Sequence, residues 1–299
     1  EKIKFIKDNF DIAGLKKAKF IKDSTDFAEI EIKLTSYLGL NDITEYKKPS
    51  NTPAFSSGKL RKKENQNESL WLFTAIKLIE DLSNPNKYDP KKLIDFFPDI
   101  RRHSTNVEYG FISIISSLYE LGVTVVFVPL LPTVHLRGAT IEVNGKPGIV
   151  ITNYKDFYPT LWFTLIHELF HVLFDWDDIK ENKYHLSPES PEQLTLIEKE
   201  KEADDFAREY LFSKEKTASV KYLLNDHSFI ENFAYKNHVH PSFVYVFHAW
   251  DEQNKRSAWA RAKKLNPDVK TITNKLSNYW SNHVHYDEHF KRLKSKFYI

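Results

Sequence analysis

Apolar residues recur at helical spacing through the first third of the chain. Over 26–38, Phe27, Ile30, Leu34 and Leu38 share one face, and over 69–82 Leu72, Phe73, Ile76 and Ile79 do the same. Both stretches predict amphipathic helices. Between them, 48–68 is polar, with Pro49, Pro53 and a Lys/Asn/Ser-rich run, and predicts a loop. A third helix over 109–121 stops at Gly122. The period then changes. Residues 123–130 (VTVVFVPL) are apolar and β-branched, as in a buried strand, while 139–143 and 148–152 flank Asn144-Gly145-Lys146-Pro147, a hairpin turn. A sheet of about three strands therefore precedes two long helices, 160–174 and 191–212, with a segment rich in Asp, Asn and Pro between them that reads as irregular. Shorter helices follow at 228–235 and 241–252. The pattern predicts an α+β fold in three parts: a helical N-terminal region (1–108), a central domain holding the sheet and the two long helices (109–265), and a basic aromatic tail (266–299).

Composition narrows the chemistry. The 299 residues are 41% hydrophobic, which is ample for a buried core. There is no Cys, so disulfides, thiolate metal sites and thiol catalysis are excluded and any metal site must be built from His and carboxylate. The chain has no Met and starts at Glu1, so either it starts inside a longer protein or its Met residues are missing from the sequence as written. A net charge of +2 conceals two basic ends. Lys16, Lys17, Lys19, Lys22, Lys59, Arg61, Lys62 and Lys63 lie near the start, and Lys255, Arg256, Arg261, Lys263, Lys264, Lys291, Arg292, Lys294 and Lys296 lie near the end. Solvated helix faces account for them most simply; contact with nucleic acid is the alternative. No N-terminal stretch resembles a signal peptide. The most apolar run, 111–134, is broken by Glu120 and Gly122, so no membrane span is predicted and a cytoplasmic location is expected.

Inside the first long helix stands His167-Glu168-Leu169-Phe170-His171, an H-E-x-x-H motif. On an α-helix, residues four apart return to the same face, so both imidazoles can reach one metal ion. Glu168, about 100° round from His167, can reach the water that such a metal activates and serve as its general base without being a ligand. The surrounding helix is apolar nearly all round, from Leu161 to Phe174, which predicts burial. Buried histidines need partners, and a metal supplies one for each. A pair of hydrogen-bonded core histidines is the plainer alternative.

The second long helix offers a third ligand. Its apolar stripe runs through Leu196, Ile197, Ala203, Ala207 and Leu211, and Glu200 falls in the middle of that face while Glu198 and Glu202 point away. A carboxylate centred on a buried face is costly unless something binds it. Either it ligates the metal, or it forms a buried ion pair with a Lys or Arg of the N-terminal helices. Asp204, one turn on, shares the face and is suited to orient a ligand His. His167, His171 and Glu200 would make a His₂Glu site with an open position. Zinc fits that donor set, and manganese or iron is also compatible with it.

The order of these features carries a resemblance. The strand VTVVFVPLLP, then LRGAT and a hairpin, then Trp162-Phe163-Thr164-Leu165-Ile166 leading into HELFH, and finally E-K-E-A-D-D-F-A at 200–207, resemble the ImmA/IrrE family of zinc metallopeptidases. In that family an E-x-E-A-N-x-F-A helix follows the H-E-x-x-H helix, and its first Glu is the third ligand. The resemblance is specific over 122–212 and weaker back to about residue 27. It implies a zincin-like domain binding one Zn²⁺ and a metallo-endopeptidase that cleaves a repressor or antitoxin, often within a toxin–antitoxin or stress-response module. The family usually has Gly where this chain has Phe170, which is expected to narrow the cleft, and Asn where it has Asp204. Relatives often carry an XRE-type helix-turn-helix. The first 45 residues lack its Gly and small-residue turn, so any DNA-binding domain would lie ahead of Glu1.

A rival reading makes the chain a transcriptional regulator or antitoxin that uses the same domain as a sensor or partner-binding module. A third makes it a nucleic-acid binder through its basic ends. His283, His285 and His289, and the pair His238 and His240, suggest surface histidines more readily than a second metal site. Tyr184 and His185, like Tyr154, Tyr158 and Tyr235, are candidates to stabilise an oxyanion, with nothing in the sequence to rank them. Trp250, Trp259 and Trp280 read as packing residues.

Overall fold

The computed structural model of the chain describes residues 1–17, 19–49, 66–131, 133–189, 194–252 and 255–276. Lys59, Arg61, Lys62, Lys63, Trp280 and the histidines and cations expected beyond 276 lie outside these, as does most of the predicted 48–68 loop. The fold is α+β and mostly helical. The N-terminal helices are α1 (Lys2–Asn9), α2 (Ile12–Lys17), α3 (Phe27–Leu38), α4 (Gln66–Leu82), α5 (Pro90–Ile100) and α6 (Gly110–Glu120). Strands β1 (Thr124–Phe127), β2 (Leu136–Val143) and β3 (Lys146–Ile151) lead into α7 (Tyr158–Phe174), the short α8 (Trp176–Asn182) and β4 (Tyr184–Pro188). The chain continues through α9 (Leu194–Phe212), α10 (Lys214–Val220), α11 (His227–Lys236), α12 (Ser242–Asp251), α13 (Arg256–Lys264) and α14 (Val269–Lys275). None of the described helices is long and apolar enough to cross a membrane.

The sheet has four strands in the order β1-β3-β2-β4. β1 runs parallel to β3, and β2 pairs antiparallel with both β3 and β4. The β2–β3 turn is two residues, Asn144 and Gly145, both with positive φ (52° and 77°). That geometry is a type I′ turn, and Pro147 falls in the first turn-side positions of β3 rather than in the loop. The expected three-strand sheet lacked β4, which lies in the segment read as irregular. Residues of β4 alternate half-buried and buried, but the buried pair is His185 and Ser187. With the polar residues facing inward, the usual apolar-in pattern of a strand is absent.

One buried apolar cluster runs from Ile6 to Leu276 and joins the N-terminal helices, the sheet and the C-terminal helices. At its centre lies α7, where every residue from Tyr158 to Leu169 is buried. Each large apolar side chain buried there contributes roughly 1.5–3 kcal/mol relative to exposure, which fixes the helix against the sheet. Trp162 sits edge-on to Phe111 of α6, and Phe163 packs on Trp250 of α12. α7 can approach β2 closely because residue 138 is Gly: a Cβ there would lie 2.9 Å from the Val150 carbonyl oxygen and 2.5 Å from a carboxylate oxygen of Glu168. The described basic ends are solvated, with Lys16, Lys17, Lys255, Arg256, Lys263 and Lys264 all exposed.

Candidate metal centre

α7 and α9 pack side by side and bring His167, His171 and Glu200 together, with 1%, 0% and 2% of each residue exposed. The His167 and His171 Nε2 atoms are 3.2 Å apart. Glu200 Oε2 lies 3.3 Å from His167 Nε2, and Oε1 lies 3.5 Å from His171 Nε2. Donors about 2.0–2.1 Å from a tetrahedral ion are separated by about 3.3 Å, the spacing of the two Nε2 atoms from each other and of Glu200 Oε2 from His167 Nε2. The three form a buried group that could hold a metal ion, and they are the one such cluster among the described residues. His238 and His240 form none; His240 instead bonds through Nδ1 to Ser242.

The outer nitrogens of both histidines are engaged. His167 Nδ1 is 2.9 Å from Asp204 Oδ1, and His171 Nδ1 is 2.7 Å from Asp175 Oδ2. A carboxylate only accepts, so in a neutral ring each Nδ1 carries the proton and each Nε2 turns its lone pair toward the other. Two facing lone pairs at 3.2 Å repel unless a proton or a metal ion lies between them, and the neutral tautomers leave both lone pairs for a metal. Asp175 was not among the expected residues, although its position four after His171 is the signal that could have revealed it. Lys199 of α9 holds the other Asp175 oxygen at 3.3 Å.

Glu200 is surrounded. Besides the two histidines, it meets Arg137 of β2 (Nη2 to Oε2, 3.3 Å) and His185 of β4 (Nε2 to Oε1, 2.7 Å). The alternative partner for Glu200, a cation of the N-terminal helices, is not the one observed; the cation comes from the sheet, because Arg137 is the residue beside Gly138 on the strand under α7. Arg137 also donates to Asp204 at 2.6 Å and to the Pro188 carbonyl at 3.4 Å, tying β2, β4 and α9 together.

Electrostatics follow from this crowding. Burial opposes charge on His167, but hydrogen bonds to Asp204 and Glu200 outweigh it and raise its pKa to about 9. His171 is raised likewise, against burial, by Asp175 and Glu200. Burial would raise the Glu200 carboxyl, yet bonds from the three histidines hold it far below the usual carboxylate range. Burial and the neighbouring His171 push His185 down.

Glu168 is fully buried. Its Oε2 accepts from Thr140 Oγ at 2.8 Å, while Oε1 has no hydrogen-bond partner, and neither has Ser187 Oγ. Oε1 borders Gly138, the residue that pairs with Ser187 in the sheet. An unpaired buried carboxylate oxygen is costly, and it accords with a group that acts on a further reactant.

A cleft of about 960 Å³ reaches the centre from the α9 side, lined near the site by Arg137, Glu200 and Asp204 and farther out by Tyr154, Phe163 and Trp250. Of the residues considered for an oxyanion, Tyr154 lines this cleft. The Tyr158 hydroxyl donates to the Ser104 carbonyl, Tyr235 is exposed, and His185 is engaged with Glu200. Phe170 does not narrow the cleft: its ring packs on Phe174 and Phe206, away from the lining. Ile197, placed on the buried stripe by periodicity, is 38% exposed at the cleft wall, and Trp250 lines the cleft as well as packing. No protein-family model, curated protein or solved structure matches the chain.

Proposed function

We propose that this chain is a zinc-dependent metallo-endopeptidase of the ImmA/IrrE type, acting on a repressor or antitoxin-type protein. The observation that carries the reading is the convergence of three buried donors at 3.2–3.5 Å, with a carboxylate on the outer nitrogen of each histidine and Glu168 alongside. His167, His171 and Glu200 would hold the ion. Zinc bound there would supply Lewis acidity toward a peptide carbonyl and lower the pKa of a water. Thr140 holds Glu168 Oε2 and leaves Oε1 unpartnered, so Oε1 would take the proton of an attacking water and return it to the leaving amine. Asp204 and Asp175 fix the histidine rings and their tautomers. The cleft wall of Tyr154, Phe163 and Trp250 offers apolar and hydroxyl contacts to a peptide.

Replacing Glu168 by Gln tests this. Metal content survives and cleavage of proteins encoded by neighbouring genes disappears; cleavage that persists would refute the role of Glu168.

One observation favours a second reading. Glu168 and both histidines are at most 1% exposed, and none of them lines the cleft. In a regulator or antitoxin built on this domain, the metal would be structural and the cleft would bind a partner. That protein would retain a bound partner from the same gene neighbourhood uncut, whereas the peptidase would release fragments.

A further inference from the structure

β4 enters the site from the sheet. Its pairing with β2 sets His185 opposite Thr140, the residue that holds Glu168, so both side chains share the sheet face that packs on α7. His185 is 3% exposed, its Nε2 lies 2.7 Å from Glu200 Oε1, and its ring centroid is 4.1 Å from that of His171. A carboxylate that ligates a metal can only accept, so across this 2.7 Å contact His185 Nε2 is the donor. The opposite tautomer holds in His167 and His171, whose Nδ1 atoms face carboxylates. Three neighbouring histidines thus divide into two lone-pair donors and one N–H donor. The 2.7 Å contact is also a hydrogen-bond length, shorter than the separation of about 3.3 Å between two donors on one tetrahedral ion.

Resting on the metal reading above, we propose that His185 is a positioning residue for Glu200. Its N–H occupies Oε1 and leaves Oε2, beside His167 Nε2, as the oxygen offered to the ion. Glu200 then binds through one oxygen, and a coordination position stays open. Without His185, the carboxylate is free to chelate through both oxygens or to turn onto Arg137, which already lies 3.3 Å from Oε2.

Co²⁺ titration of the full chain, followed by visible absorption, tests this in the wild type, His185→Ala and His185→Gln. The Ala variant should bind Co²⁺ about 10–100-fold more weakly, as loss of a group that orients a ligand does, and with altered absorption. The Gln variant, whose amide N–H can still donate to Oε1, should recover most of the affinity and the wild-type spectrum. A folded Ala variant with wild-type affinity and spectrum would overturn the proposal. So would a Gln variant as impaired as Ala, which would make the imidazole itself a ligand. Should Ala not fold, the Gln spectrum alone decides. A wild type that takes up no Co²⁺ removes the metal reading itself, an outcome distinct from equal binding by all three proteins.

Discussion

Gly138 lies against the Glu168 carboxylate: a Cβ added to it would sit 2.5 Å from Glu168 Oε1 and 2.9 Å from Thr164 Cγ2 and the Val150 carbonyl oxygen. The backbone carbonyl cannot swing aside as a side chain can. Gly138→Ala should therefore push α7 off β2 and displace Glu168. We expect a loss of about 1–3 kcal/mol in denaturant unfolding, and a larger loss of cleavage than of metal content. Unchanged stability would show that α7 does not pack so closely.

Asp175 reaches His171 from the end of α7. Asp175→Ala should lower metal affinity by about 10–100-fold, because the ring loses the acceptor that fixes its tautomer. Asp177, two residues on and exposed with its carboxylate on Lys180, is the control: Asp177→Ala should leave affinity unchanged. Isothermal titration with Zn²⁺ separates the two.

Arg137 is buried against Glu200 and also holds Asp204, whose side chain is partly exposed at the cleft. Arg137→Met removes that cation from the buried Glu200, a change that costs about 3–5 kcal/mol where one member of a buried pair is removed. A divalent ion restores the balance. The apo variant should thus melt well below apo wild type, and added Zn²⁺ should close much of the gap. Equal losses with and without Zn²⁺ would separate Arg137 from the metal centre.

These relationships show which parts of the site the sequence discloses. The H-E-x-x-H spacing puts both imidazoles on one face by helix geometry alone. Glu200 and Asp204 are readable because an acid on an otherwise apolar stripe is conspicuous. Arg137 and Thr140 are not, and His185 is readable only as one oxyanion candidate among several, since all three reach the site through strand pairing, which no local pattern encodes. β4 was hidden for the same reason that it matters: its inward residues, His185 and Ser187, are polar and serve the site. α5 was also unnamed, although Asp89 caps it by accepting from Lys91 and Lys92 and Pro90 follows at the first helical position, signals that local chemistry does supply.

Acid sensitivity should come partly from His240. Its Nδ1 accepts from the Ser242 N–H at 3.2 Å, which requires a neutral ring, and burial pushes its pKa down to about 4. In the unfolded chain the same group titrates near 6.5. Between those values the unfolded chain binds a proton that the folded chain refuses. Stability from this group is therefore full above pH 6.5 and is lost as pH falls toward about 4. His240→Gln should lessen the difference in urea midpoint between about pH 7 and pH 4.5; an unchanged difference would rule the residue out.

Elemental analysis of the purified full chain tests the central claim most directly. One zinc ion per chain is predicted for the wild type and for Glu168→Gln, falling to near zero in a folded His171→Ala variant, since the three donors form a single cluster. Wild-type protein that remains metal-free after incubation with Zn²⁺, or a His171→Ala variant that keeps a full complement, would contradict the account.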